Sequence, residues 1–221
     1  MPQPSHIAKV PLPDPATLDD DIKGYIALCR EKLGMVPNVL WAYTARPEKF
    51  RTFTRFYNQM MLDEETCRLS KLEREMIAVV VSSANRCYYC LVAHGQAVRE
   101  LSGDPELGEM MMTNYRVAEL DTRTRTMLDH AWKLTTRSEE VDDADRAGLK
   151  AAGFDDRDVF DITDVAAFFN YTNRMMQGLD VMPNRAYHGM NRPAPGQEPA
   201  RDAARASATA ASSPRSRNTP A

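Results

Sequence analysis

The sequence predicts an all-α fold, and three observations carry that reading. Apolar residues recur at spacings of three and four along nearly every segment, no run alternates with the two-residue period of a half-buried strand, and the segments start and stop on helix-capping residues. Residues 1–16 hold five prolines and are expected to form an extended arm. Thr17 is placed to cap a helix with an acidic first turn, Asp19-Asp20-Asp21, that runs to Lys32 and ends at Gly34. A short helix from Val39 to Thr44 is stopped by Pro47, which opens the next. There Phe50, Phe53, Tyr57 and Met61 fall on one face, most simply as core packing, with the Tyr57 hydroxyl free to reach a polar edge. Ser70 with Glu73 forms a capping box ahead of a helix ending near Ala84.

A further helix begins near Cys87 and ends at Ser102-Gly103. It is followed by a short segment from Pro105 to Asn114, a helix from Asp121 to about Thr136, and one capped by Asp142 or Asp143. The last helix spans roughly Asp156 to Gly178 and is apolar almost all round from Val165 to Phe169. Such a helix needs cover on several sides, from its own bundle or from another subunit. From Gly189 the composition breaks, with five of the 14 prolines and no periodicity, so residues 189–221 are expected to be a disordered tail. Its five arginines against Glu198 and Asp202 make it basic, most simply a solvated segment. The helical domain is thereby bounded at 17–188.

Composition excludes several classes of function. A chain of 221 residues with 43% hydrophobic and 27% charged residues is an ordinary globular domain with a tail. A net charge of −3 provides no basic field for nucleic acid. The longest apolar run, Met76 to Val81, is far too short for a membrane span. Residues Met1 to His6 lack the basic and apolar regions of a secretory signal, which makes the cytoplasm the default location. Four cysteines in a chain this size are not a disulfide scaffold. Cys29, in an amphipathic stretch, reads as a small buried hydrophobe, and Cys67, in a polar connector, as an incidental thiol.

Cys87 and Cys90 form a Cys-x-x-Cys pair at the start of a helix, with His94 one turn later. Cys87, Cys90, His94 and Leu101 share a face, and the helix N-terminus favours a thiolate at Cys87. His94 can reach the Cys90 sulfur, accept its proton, or stabilise the thiolate once charged. On the preceding helix Leu72, Glu75, Met76, Val79 and Ser82 share one stripe. Glu75 is then either a solvent-poor, proton-handling carboxylate or a surface acid paired with Arg74 or Arg86. The sequence leaves both open. Zinc binding by Cys87, Cys90 and His94 lacks a second Cys/His cluster, since His130 and His188 stand alone, so no metal is assigned. A thioredoxin-like site would need a preceding strand. Two buried cysteines beside a core histidine remain a third reading, against which stands the polar company of Ser82, Ser83, Asn85 and Glu75.

The run from Leu72 to His94, LEREMIAVVVSSANRCYYCLVAH, resembles the signature of the alkylhydroperoxidase D-like, carboxymuconolactone decarboxylase superfamily. Gly34 to Leu40, Ala152-Gly153-Phe154 and Phe169 to Met175 resemble its peroxidase-related branch, so the resemblance covers about residues 20 to 184. It implies a fold of helical hairpins assembled as a homo-oligomer, a trimer or hexamer. It also implies reduction of hydroperoxides without haem, flavin or other cofactor, recycled by a thiol reductant or a reducing partner protein. By position, Cys90 would attack the peroxide, Cys87 would donate a proton and close the disulfide, and Glu75 and His94 would relay protons. Helix-terminus electrostatics alone favour Cys87 as nucleophile; the resemblance moves that role to Cys90. Tyr88 and Tyr89 stand where some members carry a relay His, and the decarboxylase members lack the Cys pair. The alternative function is a redox-sensing or disulfide-exchange protein with little peroxide turnover.

Overall fold

A computed structural model of the chain describes residues 2–192, so residues 193–221 of the expected disordered tail lie outside the described residues. Nine α-helices and several single turns make up the described residues, with no strand among them. The helices are α1 (Asp20–Leu33), α2 (Asn38–Tyr43), α3 (Pro47–Tyr57), α4 (Lys71–Ala84), α5 (Tyr88–Ser102), α6 (Pro105–Asn114), α7 (Thr122–Thr136), α8 (Asp143–Ala151) and α9 (Asp156–Gly178). The expected all-α class is therefore what the chain adopts.

The hairpin α4–α5 is the centre of the fold. Helix α4 packs against α5, α6, α7 and α9, and every residue from Arg74 to Ser82 is buried. A helix covered on all sides must be apolar nearly all round, which Met76 to Val81 supplies. Its start is fixed by the capping box, with Ser70 Oγ accepting from Glu73 N and Glu73 Oε2 from Ser70 N. Arg74 donates to the Met60 and Asp63 carbonyls, tying a π turn at Asn58–Leu62 to α4. The aromatic stripe of α3 packs inward as its spacing requires, Phe53 stacking on Tyr43 at 4.2 Å and on Phe168 of α9 at 5.9 Å. Gly34 ends α1 with φ +70°, a conformation glycine adopts without penalty. At Gly108 a Cβ would lie 3.1 Å from the Gly95 carbonyl oxygen, so the glycine lets α6 close on α5.

Two expectations are corrected. Thr17 does not cap α1: Pro15 opens a 3-10 turn over Pro15–Thr17, capped by Asp14, and Thr17 Oγ1 donates back to the Asp14 carbonyl. Asp19 takes the N-cap position of α1 instead. Cys29, expected as a small buried hydrophobe, is only half-buried, whereas Cys67 in the polar connector is 7% exposed. Packing of the connector against α9, not its polar neighbours in sequence, decides that. The N-terminal arm is extended and pairs with the chain after α9, through Lys9 N to Leu179 O at 2.8 Å and Met182 N to Ile7 O at 2.9 Å.

Candidate active site

The turn between α4 and α5 puts the cysteine pair in place. Arg86 adopts φ +53°, a left-handed conformation that costs a residue with a Cβ about 1 kcal/mol and reverses the chain within two residues. Gln177 of α9 donates to the Asn85 carbonyl at 2.9 Å, satisfying the turn from the opposite side. Cys87 then occupies the N-cap of α5 and Cys90 lies in its first turn.

Both thiols are free, and both are nearly inaccessible, Cys87 at 1% and Cys90 at 2% exposure. Each thiol acts on the other's ionisation, so the pair loses its first proton readily and its second with difficulty. Cys87 is held below the ordinary thiol value by the Cys90 hydrogen bond, against the cost of burial. The backbone N–H of Cys90, the His94 charge and the Tyr89 N–H add to that effect. Cys90 is pushed well up by its hydrogen bond to Cys87 and by burial, with Asn173 and Ser82 acting in the opposite direction.

Glu75 and His94 meet across the hairpin. His94 Nδ1 lies 2.6 Å from Glu75 Oε2, with both side chains largely buried. The pairing with Arg74 or Arg86 is not formed: Arg74 turns to the π turn, and Arg86 stays exposed. A carboxylate on Nδ1 fixes that nitrogen as the donor and leaves Nε2 as the proton-accepting position of the neutral ring. Phe169 packs edge-on against the ring at 4.6 Å and holds its orientation. Tyr57 and Tyr187 lie near the same carboxylate, and burial first, then Glu75, pushes both phenols up, so they stay neutral. Leu101, grouped with the cysteines by spacing, is 43% exposed because α5 outruns its cover there.

Tyr89 is buried, and its hydroxyl accepts the Val39 N–H at 3.1 Å, so it joins α5 to the start of α2. Tyr88 is exposed, and its hydroxyl reaches Gln3 and His188, both at 3.3 Å. No group of three or more His, Cys, Asp or Glu side chains arranged to hold a metal occurs among the described residues. No helix among them is long and apolar enough to cross a membrane.

The sequence reading missed the contribution of α9. Asn173, fully buried, touches the pair: its carbonyl oxygen is 3.7 Å from Cys87 Sγ, and its Nδ2 donates to Ser82 Oγ at 3.0 Å. The available signal is an amide on an otherwise apolar stripe, Ile162, Val165, Phe169, Asn173 and Met176, at spacings of three and four. A polar residue so placed must find a buried partner.

Comparison with known proteins places this arrangement. The carboxymuconolactone decarboxylase family model matches residues 47–113. An uncharacterised peroxidase-related protein from Silicibacter sp. TM1040 is 56% identical with a TM-score of 0.82, covering 87% of this chain and 100% of that one. An alkylhydroperoxidase AhpD core, an uncharacterised peroxidase-related protein from Ralstonia eutropha JMP134, is 39% identical with a TM-score of 0.82, covering 86% of this chain and 99% of that one. The debrominase Bmp8 shares the fold alone, at 15% identity and a TM-score of 0.68 over 85% of this chain and 97% of that one. Comparison with curated proteins gives no significant match.

Proposed function

Since the chain belongs to the alkylhydroperoxidase D-like, carboxymuconolactone decarboxylase superfamily, we propose that it reduces hydroperoxides through Cys87 and Cys90, without a cofactor. The observation that carries this reading is the Glu75–His94 hydrogen bond of 2.6 Å together with two buried free thiols a turn apart at the start of the facing helix. Peroxidase-related proteins among its relatives support it.

The chemistry balances as follows. One proton leaves the pair for the His94–Glu75 couple, and the remaining proton settles on Cys87. The Cys90 thiolate attacks the terminal oxygen of the hydroperoxide, the O–O bond breaks, and Cys90 becomes a sulfenic acid. The departing alkoxide takes the Cys87 proton and leaves as alcohol. Cys87, now a thiolate, attacks the Cys90 sulfur, and the displaced hydroxide takes the proton held by His94 and leaves as water. A dithiol reductant or reducing partner protein restores both thiols by exchange. The reducing setting this cycle needs supports a cytoplasmic location.

The exposed Phe160 and Tyr171 on α9 support assembly as a homo-oligomer, which we propose is a trimer or hexamer. Rapid mixing of the reduced protein with hydrogen peroxide and with an organic hydroperoxide tests the activity. Loss of both thiols within seconds is expected; thiols still reduced after minutes at millimolar peroxide would end the reading.

A second reading is a redox-sensing or disulfide-exchange protein that turns peroxide over poorly. It is favoured by Tyr89, whose hydroxyl is engaged with Val39 and adds no relay group. Its signature is a mixed disulfide trapped on Cys87→Ser or Cys90→Ser under oxidative challenge.

A further inference from the structure

The helix N-terminus and α9 favour different sulfurs. At the N-cap of α5, backbone N–H groups support a charge on Cys87. The contacts from α9 favour the reverse. The Asn173 carbonyl lies 3.7 Å from Cys87 Sγ, where it accepts an S–H and disfavours a thiolate. On Cys90, by contrast, Asn173 and Ser82 both act in the direction of a thiolate.

The orientation of the Asn173 amide follows from a chain of donors. Asn170 Nδ2 donates to the Ala166 carbonyl at 3.0 Å and to Thr135 Oγ1 at 3.0 Å, so its Oδ1 must accept. Asn85 Nδ2 donates to that Oδ1 at 3.0 Å and to Asn173 Oδ1 at 2.9 Å. Asn173 Nδ2 thereby carries two N–H donors on the side of the cysteines, one given to Ser82 Oγ at 3.0 Å and a second that can serve a thiolate. Ser82 gives its own proton to the Ala78 carbonyl at 2.6 Å, and rotation of that hydroxyl can redirect it to a thiolate. Every member from Ala166 to Ser82 is tied to backbone or to another amide, so the amide cannot flip without breaking the chain.

We infer that Asn173 is a positioning residue that shifts the pair's negative charge toward Cys90, against the pull of the helix terminus on Cys87, its carbonyl accepting the Cys87 S–H and its amide favouring a thiolate at Cys90. The inference rests on the proposed thiol chemistry, and it explains how the deeper Cys90 becomes the attacking atom although the helix terminus supports Cys87. The Cys87 proton is then in place for the departing alkoxide.

The test uses the pH dependence of alkylation of each cysteine, resolved by peptide mass mapping, in Cys87→Ser and Cys90→Ser proteins with and without Asn173→Ala. With Cys90 alone, Asn173→Ala is expected to raise its pKa by about one unit or more, about tenfold less thiolate at neutral pH. With Cys87 alone the same change should leave the profile in place, because alanine keeps the carbonyl. A shift of equal size at both sulfurs, or none at Cys90, overturns the inference. Ser82→Ala removes the second donor with little change in volume and keeps the test decisive if Asn173→Ala does not fold: a rise at Cys90 alone supports the inference and no rise overturns it. Peroxide is absent throughout, so a Cys90-specific shift in a protein that fails to reduce peroxide retains the inference and discards the peroxidase reading.

Discussion

Cys67 and Cys87 are both buried thiols, with opposite electrostatics. Cys67 sits beside α9 with the Asp161 carboxylate near it, and burial first, then that negative charge, pushes it up. Cys87 is more deeply buried yet is held down, because a neighbouring thiol and backbone N–H groups surround it with donors. Burial therefore does not decide whether a cysteine is reactive; the inventory of donors and charges around the sulfur does.

The largest effect that sharpens this contrast comes from deleting sulfurs. Cys90→Ser or Cys87→Ser should lower peroxide turnover by about 10³-fold or more, to background, whereas Cys67→Ser should leave it unchanged. Initial rates with an organic hydroperoxide and excess dithiol measure both. An equal loss with Cys67→Ser would erase the distinction between the two regions.

The next effect separates the two carboxylates. Glu75→Gln removes the negative partner of His94 and should lower turnover by about 10²-fold, within the usual range for acid–base catalysis. Asp161→Asn removes the carboxylate near Cys67 and should not touch turnover. It should instead bring the Cys67 pKa down, so that thiol alkylates faster at neutral pH. In the unaltered protein, Cys87 should remain alkylatable below the ordinary thiol range, while Cys67 should require pH above it. Mass mapping of a pH series reads all of these.

What the sequence disclosed follows from the range of the interactions. Helix limits were legible because caps are local: the Ser70–Glu73 box and Gly34 each act within one turn. Thr17 misled because Pro15 and Asp14 compete for the same few residues. The face carrying Glu75 was legible from a spacing of three and four, but its partner was not, since His94, Arg74 and Arg86 were all within reach of the pattern. Asn173 and the Tyr89–Val39 contact were hidden for another reason: they join residues 86 and 50 positions apart, and no local period encodes such a meeting. The burial of Cys67 was hidden in the same way, since its cover comes from a helix almost a hundred residues later.

The smallest expected effect contrasts two histidines. His94 has a carboxylate on Nδ1, whereas His130 of α7 is 6% exposed and its Nδ1 has no hydrogen-bond partner among the described residues. Burial lowers its pKa from 6.5, Asp145 opposes that, and Arg146 and Lys133 add to it. The folded state then resists a proton that the unfolded chain accepts below about pH 6.5, so stability should fall as pH drops through that value and level off below the folded pKa. Thermal unfolding between about pH 7 and about pH 5 should show Tm falling by a few degrees, at about 2–4 °C per kcal/mol for a chain of this size. His130→Met removes the titrating group and should flatten that part of the curve. The same slope in the variant would assign it elsewhere and leave the two histidines alike in their effect on stability.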